Sequence, residues 1–188
     1  MTVIVITPPV PVVTFEEVEK HLVEVPAEDK SYVEALTAAA TAWIDGPAGW
    51  LGRAIGVQLL EWRLSAWPCE PDWRLPYPPE IEIDSISYVD PYGVKREWPF
   101  PTPLYWDNLP AVRGRPGDIR IRYWAGYGHR DPNDAGKWVN EAPAPIKVAI
   151  MMLVAQWYGT RAATVVGATP AEMPFAVNAL LQPFRVYR

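Results

Sequence analysis

Three carboxylates, Glu80, Glu82 and Asp84, stand two apart in a stretch of alternating apolar residues, so a strand projects all three from one face. Acids gathered this way can do glycoside chemistry if they flank a cleft at the right separation. A solvated strand face is the commoner reason for such a row. His21 and His129 are the only histidines, the one side-chain type that normally titrates near neutrality. His21 falls on a short helix. His129 precedes Asp131-Pro132-Asn133-Asp134-Ala135-Gly136, which loosely follows a calcium loop, but Ala135 stands at a ligand position and the closing glutamate is missing. The chain has no Walker-type phosphate loop, no Gly-x-Ser-x-Gly elbow and no His-Glu-x-x-His. No catalytic constellation emerges. A small hydrolase working from the Glu80–Asp84 face is the weakest reading, and no cofactor or metal is expected.

Aromatic and basic groups offer a different chemistry. Trp62, Trp67, Trp73, Trp98, Trp106 and Trp124 crowd one region, and aromatic faces on a sheet can stack sugars or bases. A β-rich glycan-binding or tail-associated module is therefore the alternative reading. Against it, several of these tryptophans alternate inward or adjoin prolines, positions where they fill a core or staple stiff loops. Arg113, Arg115, Arg120 and Arg122 form a basic patch offset by Asp118, suited to a neighbour's acids or to passing DNA. The chain then ends on Leu180-Leu181-Gln182-Pro183-Phe184-Arg185-Val186-Tyr187-Arg188, rich in the aromatic and guanidinium groups that anchor protein interfaces. Pro183 ends any helix there, leaving an extended segment. It either packs back on its own domain or docks on another subunit, and both readings are open at this point.

The elements that position these groups follow from periodicity. Thr14 and Glu17 have capping-box spacing, and Phe15, Val18 and Leu22 then line one face of a short helix ended by Pro26. A second helix starts near Glu28 and Asp29, acids placed where the helix dipole favours them. Tyr32, Leu36, Ala39 and Trp43 form its stripe, widened by Val33, Ala40 and Ile44, and Gly46-Pro47 breaks it. From Gly56 to Gly128 the period becomes two. Leu60, Trp62, Leu64 and Ala66 predict a half-buried strand, and Ile119, Ile121 and Tyr123 predict another. The apolar phase slips near Asp84-Ser85, which predicts a bulge, and Asp90-Pro91-Tyr92-Gly93 carries turn chemistry. Eleven prolines between Pro68 and Pro116 predict long, stiff loops. A polar loop is expected from Gly128 to Glu141, then a helix from Ile146 to Tyr158 that is apolar on nearly every side. Such a helix must be covered all round. It is either the core of the domain or is finished by neighbouring subunits. A short helix from Phe175 to Leu181 precedes the terminal segment.

Composition bounds the rest. A chain of 188 residues fits one domain, or one domain with an insert, and 49% hydrophobic with 12% aromatic residues argues against disorder. A net charge of -5 excludes a chain-wide electrostatic nucleic-acid binder. Residues 1–55 carry eight acids and three bases, whereas residues 129–188 carry four acids and six bases, so acidic and basic ends could pair between neighbours. Cys69 is solitary, which leaves no disulfide framework or thiolate cluster. The apolar run Val3 to Val13 holds three prolines, lacks a basic flank and is too short to span a bilayer, so a cytoplasmic origin without membrane association is expected. The expected fold class is α+β. A mainly helical body of about four helices (residues 14–55 and 129–181) carries an inserted antiparallel β subdomain (56–128), with extended arms at 1–13 and 182–188.

The order of these features resembles the head-tail connector proteins (adaptor, or head-completion proteins) of tailed bacteriophages and gene transfer agents. The stretches that carry it are Thr14-Phe-Glu-Glu-Val-Glu-Lys-His-Leu22, Ile44-Asp-Gly-Pro-Ala-Gly-Trp-Leu-Gly-Arg53, the tryptophan-bearing strand after Gln58, and Ser87-Tyr-Val-Asp-Pro-Tyr-Gly93. Ala125-Gly-Tyr-Gly128, Pro145-Ile-Lys-Val-Ala-Ile150 and Ala179-Leu-Leu-Gln-Pro-Phe-Arg185 complete it. The loops around Pro99 to Pro116 and the apolar N-terminal strand depart from that pattern. The resemblance implies a non-enzymatic virion protein of the particle neck, assembled in the bacterial host cytoplasm as a ring, with a dodecamer expected. It implies a portal protein on one side, a stopper or tail-completion protein on the other, and double-stranded DNA passing through an acidic lumen. Leu180, Leu181, Phe184, Arg185, Tyr187 and Arg188 become the expected portal-docking residues. Ile146, Ile150, Leu153, Trp157, Tyr32 and Trp43 become the expected subunit-interface residues.

Overall fold

The computed structural model describes residues 2–22, 24–68, 74–99, 109–160 and 175–187. Cys69, Trp73, Trp106 and Arg188 lie outside the described residues. Among those described are four α-helices and seven strands, an α+β fold, and every pairing is antiparallel. In chain order they are β1 (Thr2–Thr7), α1 (Phe15–Leu22), α2 (Lys30–Ile44), β2 (Gln58–Leu64), β3 (Glu80–Val89), β4 (Lys95–Glu97), β5 (Ile119–Ala125), β6 (Gly128–Asp131), β7 (Asp134–Asn140), α3 (Ala144–Gly159) and α4 (Phe175–Leu181).

The helical layer forms as the pattern of caps and apolar faces requires. The Thr14 amide donates to Glu17 Oε2 (2.8 Å) while the Glu17 amide donates to Thr14 Oγ1 (3.3 Å), which closes the capping box. Glu17 also takes a hydrogen bond from Lys147 Nζ (3.1 Å), tying the start of α1 to α3. Tyr158 Oη donates to Asp29 Oδ2 (2.5 Å) and ties the end of α3 to the start of α2. On α2 the buried stripe is Val33, Ala40 and Ile44, whereas Tyr32 and Trp43 are exposed. The stripe is thus rotated about one residue, roughly 100°, from the one centred on Tyr32 and Trp43. The smaller side chains face α3 because they permit the close approach.

Helix α3 finds its cover at home. Ile146, Ile150 and Leu153, expected at a subunit interface, are buried together with Ala149 and Val154 in the chain's own core. Their cover comes from α2 and α4, from Val12 and Val13 before α1, and from Leu51 and Ile55 in the segment after α2. These irregular segments carry no periodicity, so their contribution is invisible to a helix count. Trp157 packs at the edge of the same core, 6.2 Å from the Trp43 ring centroid.

The sheet runs in the order β1-β2-β5-β3-β4. Leu60, Trp62, Ile86, Ile119, Ile121 and Tyr123 fill its core face. The register of β3 against β5 shifts between Ile83 and Ser85, the bulge that the phase slip predicts. Asp90 organises the next turn, accepting from the amides of Tyr92 (3.0 Å) and Val94 (2.9 Å) and from Arg96 Nε (2.7 Å). Two expectations are corrected. Residues 2–7 are no free arm: they pair with β2 as an edge strand. Where a polar loop is expected, β6 and β7 form a hairpin, because Trp138 has somewhere to go. Its ring centroid lies 4.8 Å from that of Trp124, and the Arg130 guanidinium covers its face at 4.4 Å.

Candidate functional site

The loop joining α2 to β2 is the centre around which the candidate surfaces are built. Asp45, directly after α2, is buried and accepts hydrogen bonds from the Ile55 amide (2.6 Å), the Gly56 amide (3.1 Å) and Gln58 Nε2 (2.9 Å). Burial pushes its carboxyl up to about 6, against those hydrogen bonds, which favour the ionised form. The N-terminal segment crosses one side of this loop, where the Val10 amide donates to Val57 O (2.9 Å). A Cβ on Gly56 would lie 2.5 Å from Val10 O, so only glycine permits the crossing.

The C-terminal segment meets the same loop elsewhere. Leu181, the last residue of α4, is fully buried in the helical core, and Leu180 and Phe184 pack partly against it. A 3-10 turn, Gln182–Phe184, then reverses the chain. The Val186 amide donates to Leu51 O (2.8 Å), the Arg185 guanidinium lies 4.0 Å above the Trp50 ring, and Gln182 Nε2 donates to Tyr187 Oη (2.5 Å). Of the expected docking residues, Leu181 is core and offers no free surface. Tyr187 is 68% exposed, while Leu180, Phe184 and Arg185 are half-buried; Arg188 lies outside the described residues.

A second surface lies on the helices. Tyr32, Ala35, Ala39 and Trp43 share the outer side of α2 and carry no charge, and Val148 is exposed on α3. Tyr32 packs beside Tyr158 and Trp43 beside Trp157, each pair with centroids 6.2 Å apart. The six expected interface residues therefore divide. Tyr32, Trp43 and Trp157 reach the surface wholly or in part, and Ile146, Ile150 and Leu153 do not.

The chemically suggestive residues are not brought together for catalysis. Glu80, Glu82 and Asp84 are all exposed, and Glu82 pairs with Arg130 while Asp84 accepts from Ser85 Oγ (3.1 Å). His129 Nδ1 faces Glu141 Oε2 at 3.3 Å, and His21 is exposed. No group of three or more metal-ligating side chains gathers among the described residues. The tryptophans are mostly committed: Trp62 is core, Trp67 donates to Pro110 O (2.8 Å), and Trp98 packs on the sheet core. Arg113 is held by Asp118 (2.7 Å). Arg122 and Arg63 clamp Glu61 (2.8 and 2.7 Å), a fully buried acid on β2 that alternation assigns to a solvated face. Burial pushes the Glu61 carboxyl up, but the two guanidinium groups outweigh that and hold it below the usual carboxylate range. Among the described residues no helix is long and apolar enough to cross a membrane.

No family model matches the chain, and no curated protein matches it in sequence. Solved structures do match it over its full length. It is similar to a chain in the neck of an empty gene transfer agent particle computed with C6 symmetry, and to one in the virion of a native gene transfer agent particle. Each shows 22% identity and a TM-score of 0.67, over 100% of this chain and 97% of the other. A chain of the native particle's neck computed with C12 symmetry gives 23% identity and a TM-score of 0.63 at the same coverages. This protein has the fold of a gene transfer agent neck chain, from one end to the other.

Proposed function

We propose that the chain is a structural head-tail connector in the neck of a tailed phage or gene transfer agent particle, without enzymatic activity. The observation that carries this reading is the likeness to neck chains over 100% of the chain and 97% of theirs. The neck structures were computed with sixfold and twelvefold symmetry, which supports a ring, with twelve subunits as the expected number. In this reading the uncharged outer side of α2, with Tyr32, Trp43 and the adjoining Trp157, packs against the next subunit. Exposed apolar patches of this kind mark association surfaces.

The C-terminal segment is the portal-docking element. Tyr187 and Arg185 form its accessible tip, Phe184 and Leu180 widen it, and Arg188 ends it. Leu181 anchors the segment to the core, so the tip is presented from a fixed base. The other end of the ring receives a stopper or tail-completion protein. The net charge of -5 suits a conduit that DNA passes without adhering. The test is electron microscopy of the purified chain mixed with the portal protein of its own particle. Rings coaxial with portal are expected, and their loss on removal of residues 185–188 with the fold intact. A chain that stays monomeric beside portal overturns the proposal.

A further inference from the structure

Arg53 is a cation with no ion-pair partner among the described residues. It lies in the Asp45 loop with its guanidinium carbon 5.6 Å from the centroid of the Tyr127 ring, and donates through Nη1 to the Tyr127 hydroxyl. Its Nε is sealed from solvent and has no acceptor. Among the described residues no carboxylate comes within ion-pair distance of it. A covered guanidinium N–H with neither acceptor nor counter-ion is costly, and folded proteins rarely leave one so. Arg53 lines a cleft of about 1060 Å³ with Arg74, Tyr77, Glu80, Val3 and Val186. Arg74 is exposed there and makes no ion pair among the described residues, nor does Glu80. Two planar guanidinium forks opening on one recess match the geometry of a carboxylate.

We propose that this cleft is a carboxylate-binding site, filled by the acidic segment around residues 16–28 of a second copy of this chain. The proposal rests on the ring reading. Charge complementarity selects the occupant. Six acids and two lysines lie between Thr14 and Lys30, and Glu19, Glu24 and Glu28 are exposed without an ion pair among the described residues. Position selects it too. The acidic segment precedes α2 and Arg53 follows it, so the 15-residue helix separates the two patches by roughly 22 Å. A contact between two different patches on successive copies is heterologous, the kind that closes into a ring. The guanidinium charges of Arg53 and Arg74 gain a counter-ion when the neighbour arrives, so the site would favour assembly at low ionic strength.

The test places a photoreactive benzophenone side chain at the exposed position of Glu80, on the rim of the cleft, so that both guanidinium groups are kept. Isotopically light and heavy full-length chains are mixed, with and without portal, and the ring fraction is irradiated and mapped by mass spectrometry. Mixed-isotope cross-links from position 80 to residues 16–28 are expected. Rings that form but cross-link elsewhere, for example to portal, overturn this contact and leave the ring reading standing. A chain that forms no ring even with portal overturns both. As a second measurement, Glu19→Lys, Glu24→Lys and Glu28→Lys combined, all at exposed positions, should raise the concentration needed for assembly at least tenfold. Arg53→Glu should do the same and, combined with the triple change, restore part of the loss. Unaltered assembly by the folded triple variant overturns the proposal.

Discussion

The two ends of the chain reach the same loop, yet they are held in different ways. Residues 2–7 join the sheet through a ladder of backbone hydrogen bonds to β2, and Val12 and Val13 behind them are part of the helical core. The last described residues lean on the Asp45 loop through a backbone hydrogen bond from Val186 to Leu51 and through the stacking of Arg185 on Trp50. A ladder is cooperative and cannot be left one bond at a time without opening a sheet edge. A single bond and a half-buried cation–π contact can be exchanged for similar contacts on another molecule at little net cost. The N-terminal segment therefore belongs to the fold, while the C-terminal tip is available for use.

That contrast can be broken at its boundary, Leu181. Leu181→Ala removes a fully buried side chain and should destabilise by about 2–5 kcal/mol in a denaturant titration. Removing residues 185–188 should cost less than about 1 kcal/mol. Equal losses from the two changes would make the tip part of the core and would end the docking argument.

Deleting residues 2–7 should fall between them. It uncovers partly buried Val3, worth about 1–2 kcal/mol, and frees the edge of β2, so concentration-dependent association by light scattering should accompany the lower stability.

The loop that both ends touch gives a pH signature. The Asp45 carboxyl sits at about 6 in the folded chain, above its value of about 3.9 when unfolded. Between these values the folded state holds the extra proton. The associated stability is full below about 3.9 and is lost as pH rises through about 6, an effect of roughly 2–3 kcal/mol. Asp118 and Asp90 are held low by Arg113 and by the Val94 amide respectively, and they slope the opposite way, losing stability as pH falls. Comparing wild type with Asp45→Asn from pH 4 to 7 isolates the site. The difference between them should change across that window, and a flat difference would mean that the hydrogen bonds, not burial, govern Asp45. The smallest effect is expected from Arg185→Ala, which should lower stability by about 0.5–1 kcal/mol through the Trp50 contact and weaken portal association.

Local chemistry made much of the fold legible in advance. The capping box at Thr14, the turn at Asp90, the bulge in β3 and the inward residues of β5 each depend on neighbours within a few positions. The α2 stripe was legible only in outline, since Tyr32 and Trp43 are the more hydrophobic-looking choice and packing chose the smaller Val33 and Ala40. Asp45 and Arg53 lie inside a stretch that carries the family resemblance, but nothing in their local spacing announced a buried hub and a cation without an anion among the described residues. An acid directly before Gly46-Pro47 at the end of a helix was the one available signal.

By itself the sequence determined where the four helices and the strands β2, β3 and β5 lie, because caps, turns and apolar period act over a handful of residues. Which side of α3 is covered, that the first residues become a strand rather than an arm, and which terminal residues stay accessible were decided only by the tertiary structure. Those outcomes depend on contacts between segments more than a hundred residues apart, such as Lys147 with Glu17 and Tyr158 with Asp29. Their energies are set by mutual burial, which no single segment carries in its own pattern.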